Sequence, residues 1–321
     1  MARLRERGKV GPGMALGKIK SSNTRWTAVC FDAGRVTIAE IERGGANPVV
    51  RACEGYALAG GVAETLKRLR KVHRLSLQRC VTLLTPGQYQ LLQTELPGNA
   101  SSMSREELRE ALRWRVKEMV DFPIERASVD LLEIPSIGNR PPLAWVVAAS
   151  HDVLQPIIWQ FQEAKIELAA IDIPETAQRN LAGLFEEANR ALALLSFERQ
   201  SSTLVITFRG ELYLTRHIDI GAAGLPPSPS DALLERSLLD IQRTLDGFDR
   251  NFGGIDVARL IVGPLPEAEA LPFLDYLRGN LSLPVVRANL AEVMDLANTP
   301  HLNDPQAQAD AWLALGAALR D

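Results

Sequence analysis

The sequence predicts an α/β protein built as two like domains facing one another across a cleft. Three observations predict it. A strand meander followed by alternating helices and strands opens each half, and that order recurs after about 165 residues. The 321 residues make about two average domains, and 46% apolar with 23% charged content is enough for their cores. No uninterrupted apolar run approaches the roughly 18 residues of a spanning helix; stretches such as 143–149 are strand-sized. The same composition, with a net charge of −3, excludes disorder, collagen-like repeats and a general nucleic-acid binder.

Residues 26–31 and 36–43 read as strands around a turn at Asp32-Ala33-Gly34, with a third strand at 49–58. A helix over 62–72 and a strand over 80–84 follow. Ser104 and Glu107 have capping-box spacing, so Ser104 opens a helix that runs to about 120, before Phe122-Pro123. Its Leu108, Leu112, Val116 and Met119 share a stripe about 80° wide. Strands at 127–134 and 143–150, a helix at 152–164 and a strand at 168–173 complete the first half. After a helix over 175–189, residues 191–197, 203–208 and 211–218 form the second meander, with Arg209-Gly210 as a tight turn. A long helix over 231–252 carries Leu234, Leu238, Ile241, Leu245, Phe248 and Phe252 in another stripe of about 80°. A buried-type strand at 260–262, a short helix at 272–278, a strand at 285–288 and an Ala/Leu-rich, buried closing helix at 306–320 end the chain.

Charge is unevenly placed. Residues 1–25 hold Arg3, Arg5, Arg7, Lys9, Lys18, Lys20 and Arg25 against Glu6 alone, a net +6, so the remainder carries −9. Gly8, Gly11, Pro12, Gly13 and Gly17 interrupt this segment and oppose an amphipathic helix. It reads as a basic arm, either a solvated tail or one drawn to an anionic inner-leaflet surface at about 1 kcal/mol per cation. No apolar h-region follows the arginines, so a signal peptide is not supported. Cys30, Cys53 and Cys80 are odd in number and widely spaced, which opposes both a disulfide framework and a zinc site; they read as buried, reduced thiols. The four histidines form no ligand or catalytic spacing, and no residue is assigned to metal binding. Gly44-Gly45 and Gly60-Gly61 are ordinary turns rather than phosphate loops. The run Lys67-Arg68-Leu69-Arg70-Lys71 with Arg74 is a basic helix face, either solvated or open to an acid, lipid or partner.

At Leu112-Arg113-Trp114 through Asp130, with Val120-Asp121-Phe122-Pro123-Ile124-Glu125 at its centre, the sequence resembles the PilM-type proteins of type IV pilus assembly. Thr215-Arg216-His217-Ile218-Asp219-Ile220-Gly221, the helix at 233–248 and the terminal Ala314-Leu315-Gly316-Ala317-Ala318-Leu319-Arg320 extend the resemblance to nearly the whole length. It implies an actin-like fold, two RNase H-like domains around a cleft: an arm at 1–25, a first domain at 26–173 with an inserted subdomain, and a second at 174–321. It also implies a cytoplasmic place at the inner membrane, where such proteins hold the short tail of a bitopic, PilN-type partner.

The nucleotide loops are read on their own terms. An actin-like ATPase needs two turns whose backbone N–H groups cradle phosphate, an acid to position Mg²⁺ or water, and a Gly-Gly approach for adenosine. Asp32 and Gly34 keep Asp-x-Gly in the first turn, although Arg35 and Val36 follow, and a plain hairpin wants the same residues. In the second, Leu194-Leu195-Ser196-Phe197-Glu198-Arg199 puts Ser196 where the family pattern has the acid and Glu198 where it has glycine. A carboxylate there repels phosphate and the lost glycine restricts the backbone, so Ser201, Ser202 and Thr203 cannot compensate. On the adenosine side Gly263 survives, but Pro264 removes a donor. Asp32, Gly34, Ser201 and Gly263 thus mark a degenerate cleft, with ATP and Mg²⁺ weakly held if at all and no catalytic residue. The reading is a non-catalytic adaptor; the alternative is an actin-like ATPase whose ATP state regulates pilus assembly. Trp114 projects about 120° from Leu108, off the core stripe, either as an anchor for a partner with Phe122 and Pro123 completing the patch, or as packing beneath a loop.

Overall fold

The computed structural model describes residues 25–320 except 33, 59, 137–140, 223, 224, 226–229 and 266. The basic arm, apart from Arg25, and Ala33 of the first turn lie outside the described residues.

β1 (Arg25–Asp32), β2 (Arg35–Glu42) and β3 (Val49–Ala57) form the antiparallel meander that the apolar runs predict, and β4 (Cys80–Leu83) and β8 (Leu168–Asp172) add to it in parallel, in the order β3-β2-β1-β4-β8. β9 (Ala191–Phe197), β10 (Ser202–Phe208), β11 (Glu211–Ile218), β12 (Val257–Val262) and β13 (Val285–Arg287) repeat this order as β11-β10-β9-β12-β13. The central strands read as continuous apolar runs because helices cover both faces: Leu192, Ala193, Leu194, Leu204, Val205 and Ile206 are all fully buried.

Between β4 and β8 lies an inserted three-stranded antiparallel sheet, β5 (Gln90–Glu95), β6 (Ala127–Ile134) and β7 (Leu143–Ser150), in the order β5-β7-β6. Alternation along it serves two cores. Val129, Leu131, Ala144, Val146 and Ala148 pack beneath α2 (Arg105–Val116), whereas Leu132, Ile134, Trp145, Val147 and Ala149 join the main core. The capping box at the start of α2 forms in full: Glu107 N–H donates to Ser104 Oγ at 3.2 Å and Ser104 N–H donates to Glu107 Oε2 at 2.7 Å. Asp130, wholly buried, accepts from Arg105 and Arg109 of α2 at 3.1 and 2.9 Å and from Leu131 N–H at 2.9 Å, which ties the helix to β6.

The remaining helices are α1 (Val62–Val72), α3 (His151–Glu163), α4 (Pro174–Phe185), α5 (Asp231–Phe252), α6 (Glu267–Asn280) and α7 (Pro305–Ala318). In α5 the buried stripe is Leu234, Ser237, Ile241, Thr244, Phe248 and Phe252; Leu238 and Leu245 stand half-buried at its margin. Ser237 and Thr244 tolerate burial because their hydroxyls donate to the carbonyls of Leu233 and Asp240, each at 2.7 Å.

α7 closes the architecture. Although it ends the second half of the chain, it returns to pack on β1, β2 and β3, while α4 packs on β9, β10 and β11. The two helices therefore cross between the sheets. At the crossing Gly316 lies on the backbone of Ala177, and Asn180 Nδ2 donates to Gly316 O at 2.9 Å. A parallel bridge between Val49 and Asp295 adds to this return, with Val50 N–H donating to Asp295 O and Asp295 N–H donating to Pro48 O.

Candidate functional site

Equivalent hairpins of the two sheets, β1–β2 and β9–β10, reach the cleft beside the first turn of α4. Asp32 ends β1 and is exposed; Asp32 and Arg35 are the last paired residues, and Gly34 adopts φ +84°, which a turn this tight requires. Arg35 does not face the hairpin mouth. Its guanidinium lies across Gly55 and pairs with Asp310 of α7 at 3.0 Å.

The second hairpin is closed upon itself. Glu198 N–H donates to Ser201 O at 2.8 Å, and Ala222 N–H donates to Glu198 O at 2.8 Å. Gly221 presses against the turn so closely that a Cβ there would meet Gln200 C at 2.3 Å and Ser201 N at 2.4 Å. Ser201 Oγ donates to Glu198 Oε2 at 3.4 Å, while Glu198 Oε1 is buried without a partner. Ser196 points its hydroxyl at Thr203 O at 3.5 Å. The turn's backbone is thus tied to its own chain at Glu198, Ser201 and Ala222, and Glu198 adds a half-buried carboxyl with one oxygen unpartnered.

Two further residues that the sequence reading left aside complete the site. Glu175, in the first turn of α4, accepts from Tyr89 OH at 2.6 Å. Burial raises the Glu175 carboxyl above its ordinary value; the Tyr89 hydrogen bond opposes this, and the charge of Glu198 adds to it. Burial raises Glu198 as well, with the charge of His217 and the hydrogen bond from Ser201 opposing and the charge of Asp32 adding. Tyr89 is pushed well above the usual phenol value by burial and by Glu175. Asp32, Glu175 and Glu198 therefore stand in one electrostatic neighbourhood, drawn from β1, α4 and the β9–β10 turn. A first-turn carboxylate after proline is an ordinary helix start, so nothing local marks Glu175; only the fold brings it to the hairpins.

A titration follows from this. Both carboxyls are raised in the folded state, so the stability they contribute is complete below the ordinary glutamate value and is lost as pH rises through their folded values. Glu198→Gln is expected to stabilise the protein at pH 7 by about 0.5 kcal/mol after solvent screening, and to flatten the loss of stability between about pH 4.5 and pH 7. Parallel denaturation curves for the two proteins at both pH values would contradict this.

Gly263 packs where a Cβ would meet Leu195 O and Ser196 Cα, each at 3.3 Å, and its N–H donates to Leu195 O at 2.7 Å. Gly263, Pro264 and Leu265 are buried, so this turn belongs to the core between β9 and β12 instead of offering an open edge. Asp32 and Glu198 are therefore brought together, Ser201 is spent on Glu198, and Gly263 serves packing. Among the described residues no group of three or more His, Cys, Asp or Glu is placed to hold a metal ion. A separate opening of about 520 Å³ lies at the far end of α4, lined by Arg43, Arg179, Asn180 and Gly210 among others.

On the inserted subdomain Trp114 is 58% exposed, with Lys117 Nζ 5.1 Å from its ring centre. Phe122 is half-buried against the small core and Pro123 is exposed. Met119, expected on the buried stripe, is 48% exposed instead. After Val116 the helix tightens into a 3₁₀ turn over Lys117–Met119, and the larger rotation per residue swings Met119 off the stripe.

The chain matches no family model and no curated protein by sequence. In structure it is similar to a PilM–PilN type IV pilus biogenesis complex, at 18% identity and a TM-score of 0.68, covering 92% of this chain and 97% of that one. It is also similar to a protein with an actin-like ATPase fold from Bacteroides thetaiotaomicron, at 10% identity and a TM-score of 0.48, covering 90% and 100%. A third is the cytoplasmic domain of EpsL, an inner-membrane component of the type II secretion system of Vibrio cholerae, at 15% identity and 0.45, covering 76% and 84%. Two sheets of identical order about crossing helices, matched over nearly the whole length, make the fold actin-like.

Proposed function

We propose that this protein is a non-catalytic scaffold of type IV pilus assembly, cytoplasmic and peripheral at the inner membrane, that holds the cytoplasmic tail of a PilN-like bitopic protein. The likeness of its fold to a PilM–PilN complex supports the system, and the sequence resemblance points the same way. Within that system our reading, from the eroded nucleotide loops, is a protein similar to MshI, the mannose-sensitive haemagglutinin pilus biogenesis protein. The observation that carries the non-catalytic reading is the anionic, self-closed second hairpin, with Glu198 beside Asp32 and Glu175 where a triphosphate would add several negative charges. Burying further like charge among three carboxylates opposes binding, whatever backbone donors remain.

Tail binding belongs to the inserted subdomain in this reading, with the exposed Trp114 as its aromatic anchor and Phe122 and Pro123 completing the patch. One titration series tests the whole proposal. Purified protein should show no thermal shift with Mg·ATP, and should bind a PilN-type tail peptide with an affinity that Trp114→Ala reduces at least about tenfold, or about 1.4 kcal/mol. Stoichiometric ATP binding with turnover abolished by Asp32→Ala would establish the ATPase alternative. Unchanged peptide affinity would move the anchor elsewhere.

A further inference from the structure

The end of α1 and the turn after it present a combination the scaffold reading does not use. Leu77 is 82% exposed and Val72 61% exposed, among the described residues the two largest apolar exposures before β9 other than Trp159. Arg68, Lys71 and Arg74 stand exposed among them, and among the described residues no carboxylate pairs with any of the three. The exposure of Leu77 is built in. Within the 3₁₀ turn Leu75–Leu77, Leu75 is fully buried, which turns Leu77 outward. The next residues are pinned: Gln78 accepts from Thr27 Oγ1 at 2.6 Å and donates to Glu40 at 3.2 Å, and the Arg79 guanidinium lies 4.1 Å from the Trp26 ring centre. Arg74 adopts the left-handed backbone, φ +53°, a conformation that glycine or asparagine accepts more readily.

We infer that this turn is a lipid-contact surface: Val72 and Leu77 enter the headgroup boundary of an anionic bilayer while Arg68, Lys71 and Arg74 meet its phosphates. Apolar side chains fixed among cations suit the interface between headgroups and acyl chains, where both gain. Charge complementarity selects an anionic bilayer over a neutral one. The place where the described chain begins adds a second argument. Thr27 N–H donates to Arg79 O at 3.0 Å, so the start of β1 and this turn share one end of the first sheet. The 24 residues before Arg25 carry a net +5 by sequence and join the described chain at that end. The neighbouring acids have partners of their own: Glu42 is held by Arg25 and Arg51, Glu40 by Arg25 and Gln78, Glu64 by Lys67, and Glu54 accepts from Tyr56 OH.

The inference is independent of the scaffold reading, and the test keeps them apart. Full-length protein is sedimented with vesicles of phosphatidylglycerol and phosphatidylethanolamine, and with phosphatidylcholine alone. Binding to the anionic vesicles only is expected. Leu77→Ser should lower the partition at least fivefold in 0.3 M salt, where attraction through the basic segment is screened. Arg74→Gly should lower it about fivefold at low salt, with an unchanged or higher melting temperature because the left-handed backbone is relieved. Both variants should bind the tail peptide as the parent does. Absence of vesicle binding, equal partition by parent and both variants, or a loss confined to peptide binding would each overturn the assignment, the last giving the surface to a protein partner.

Discussion

Gly316→Ala is expected to destabilise the protein by about 1–3 kcal/mol, although alanine is the better helix former by about 1 kcal/mol. The added Cβ would meet Ala177 O at 2.3 Å and Ala177 C at 2.7 Å, and these atoms are backbone that cannot rotate away. Relief requires α7 and α4 to move apart. Because α7 rests on the first sheet and α4 on the second, that movement also changes the angle between domains and weakens the bond from Asn180 to Gly316 O. Gly247→Ala in α5 is the control: a Cβ there meets nothing within 4 Å, so it should gain about 0.5–1 kcal/mol. Urea denaturation of both variants decides the matter, and equal gains would show that the helix crossing is loose.

Arg320→Met should cost about 3–5 kcal/mol. Arg320 and Asp172 are almost wholly buried and form an ion pair that joins the end of the chain to the last residue of β8, immediately before the link into α4. The guanidinium also lies 5.5 Å from the Trp26 ring centre. A methionine of similar volume keeps the packing but leaves the Asp172 carboxylate in a dry site without its partner, which is more costly than having no charge at all. Combining it with Asp172→Asn should recover most of the loss, and the double-mutant cycle reads the coupling directly. A single-variant loss below about 1 kcal/mol would mean that water reaches the pair.

Much of this fold was legible in the chain. The meanders of both halves were visible because their central strands lie covered on both faces and read as apolar runs, and the capping box at Ser104 announced α2 before any packing was known. β5 was missed for the complementary reason. Gln90-Leu91-Leu92-Gln93-Thr94-Glu95 neither alternates nor runs apolar, since it lies at the edge of the small sheet, paired to β7 alone and only partly buried. The α5 stripe was read one position off at Leu238 and Leu245, because hydrophobicity alone ranks leucine above a serine or threonine whose hydroxyl is satisfied by its own helix. At the cleft, a carboxylate in the second hairpin turn, Glu198, was visible in the chain, whereas its companions Glu175 and Tyr89 were not.

Local patterning by itself determined the α/β alternation and the strand meander that opens each half, since each is set by neighbours in sequence and by backbone preference. Tertiary structure alone decided that α7 returns to the first sheet, that Glu175 and Tyr89 join Asp32 and Glu198, and that Leu77 faces outward. Those outcomes depend on contacts between residues far apart in the chain, where burial and the distance between charges are properties of the assembled fold.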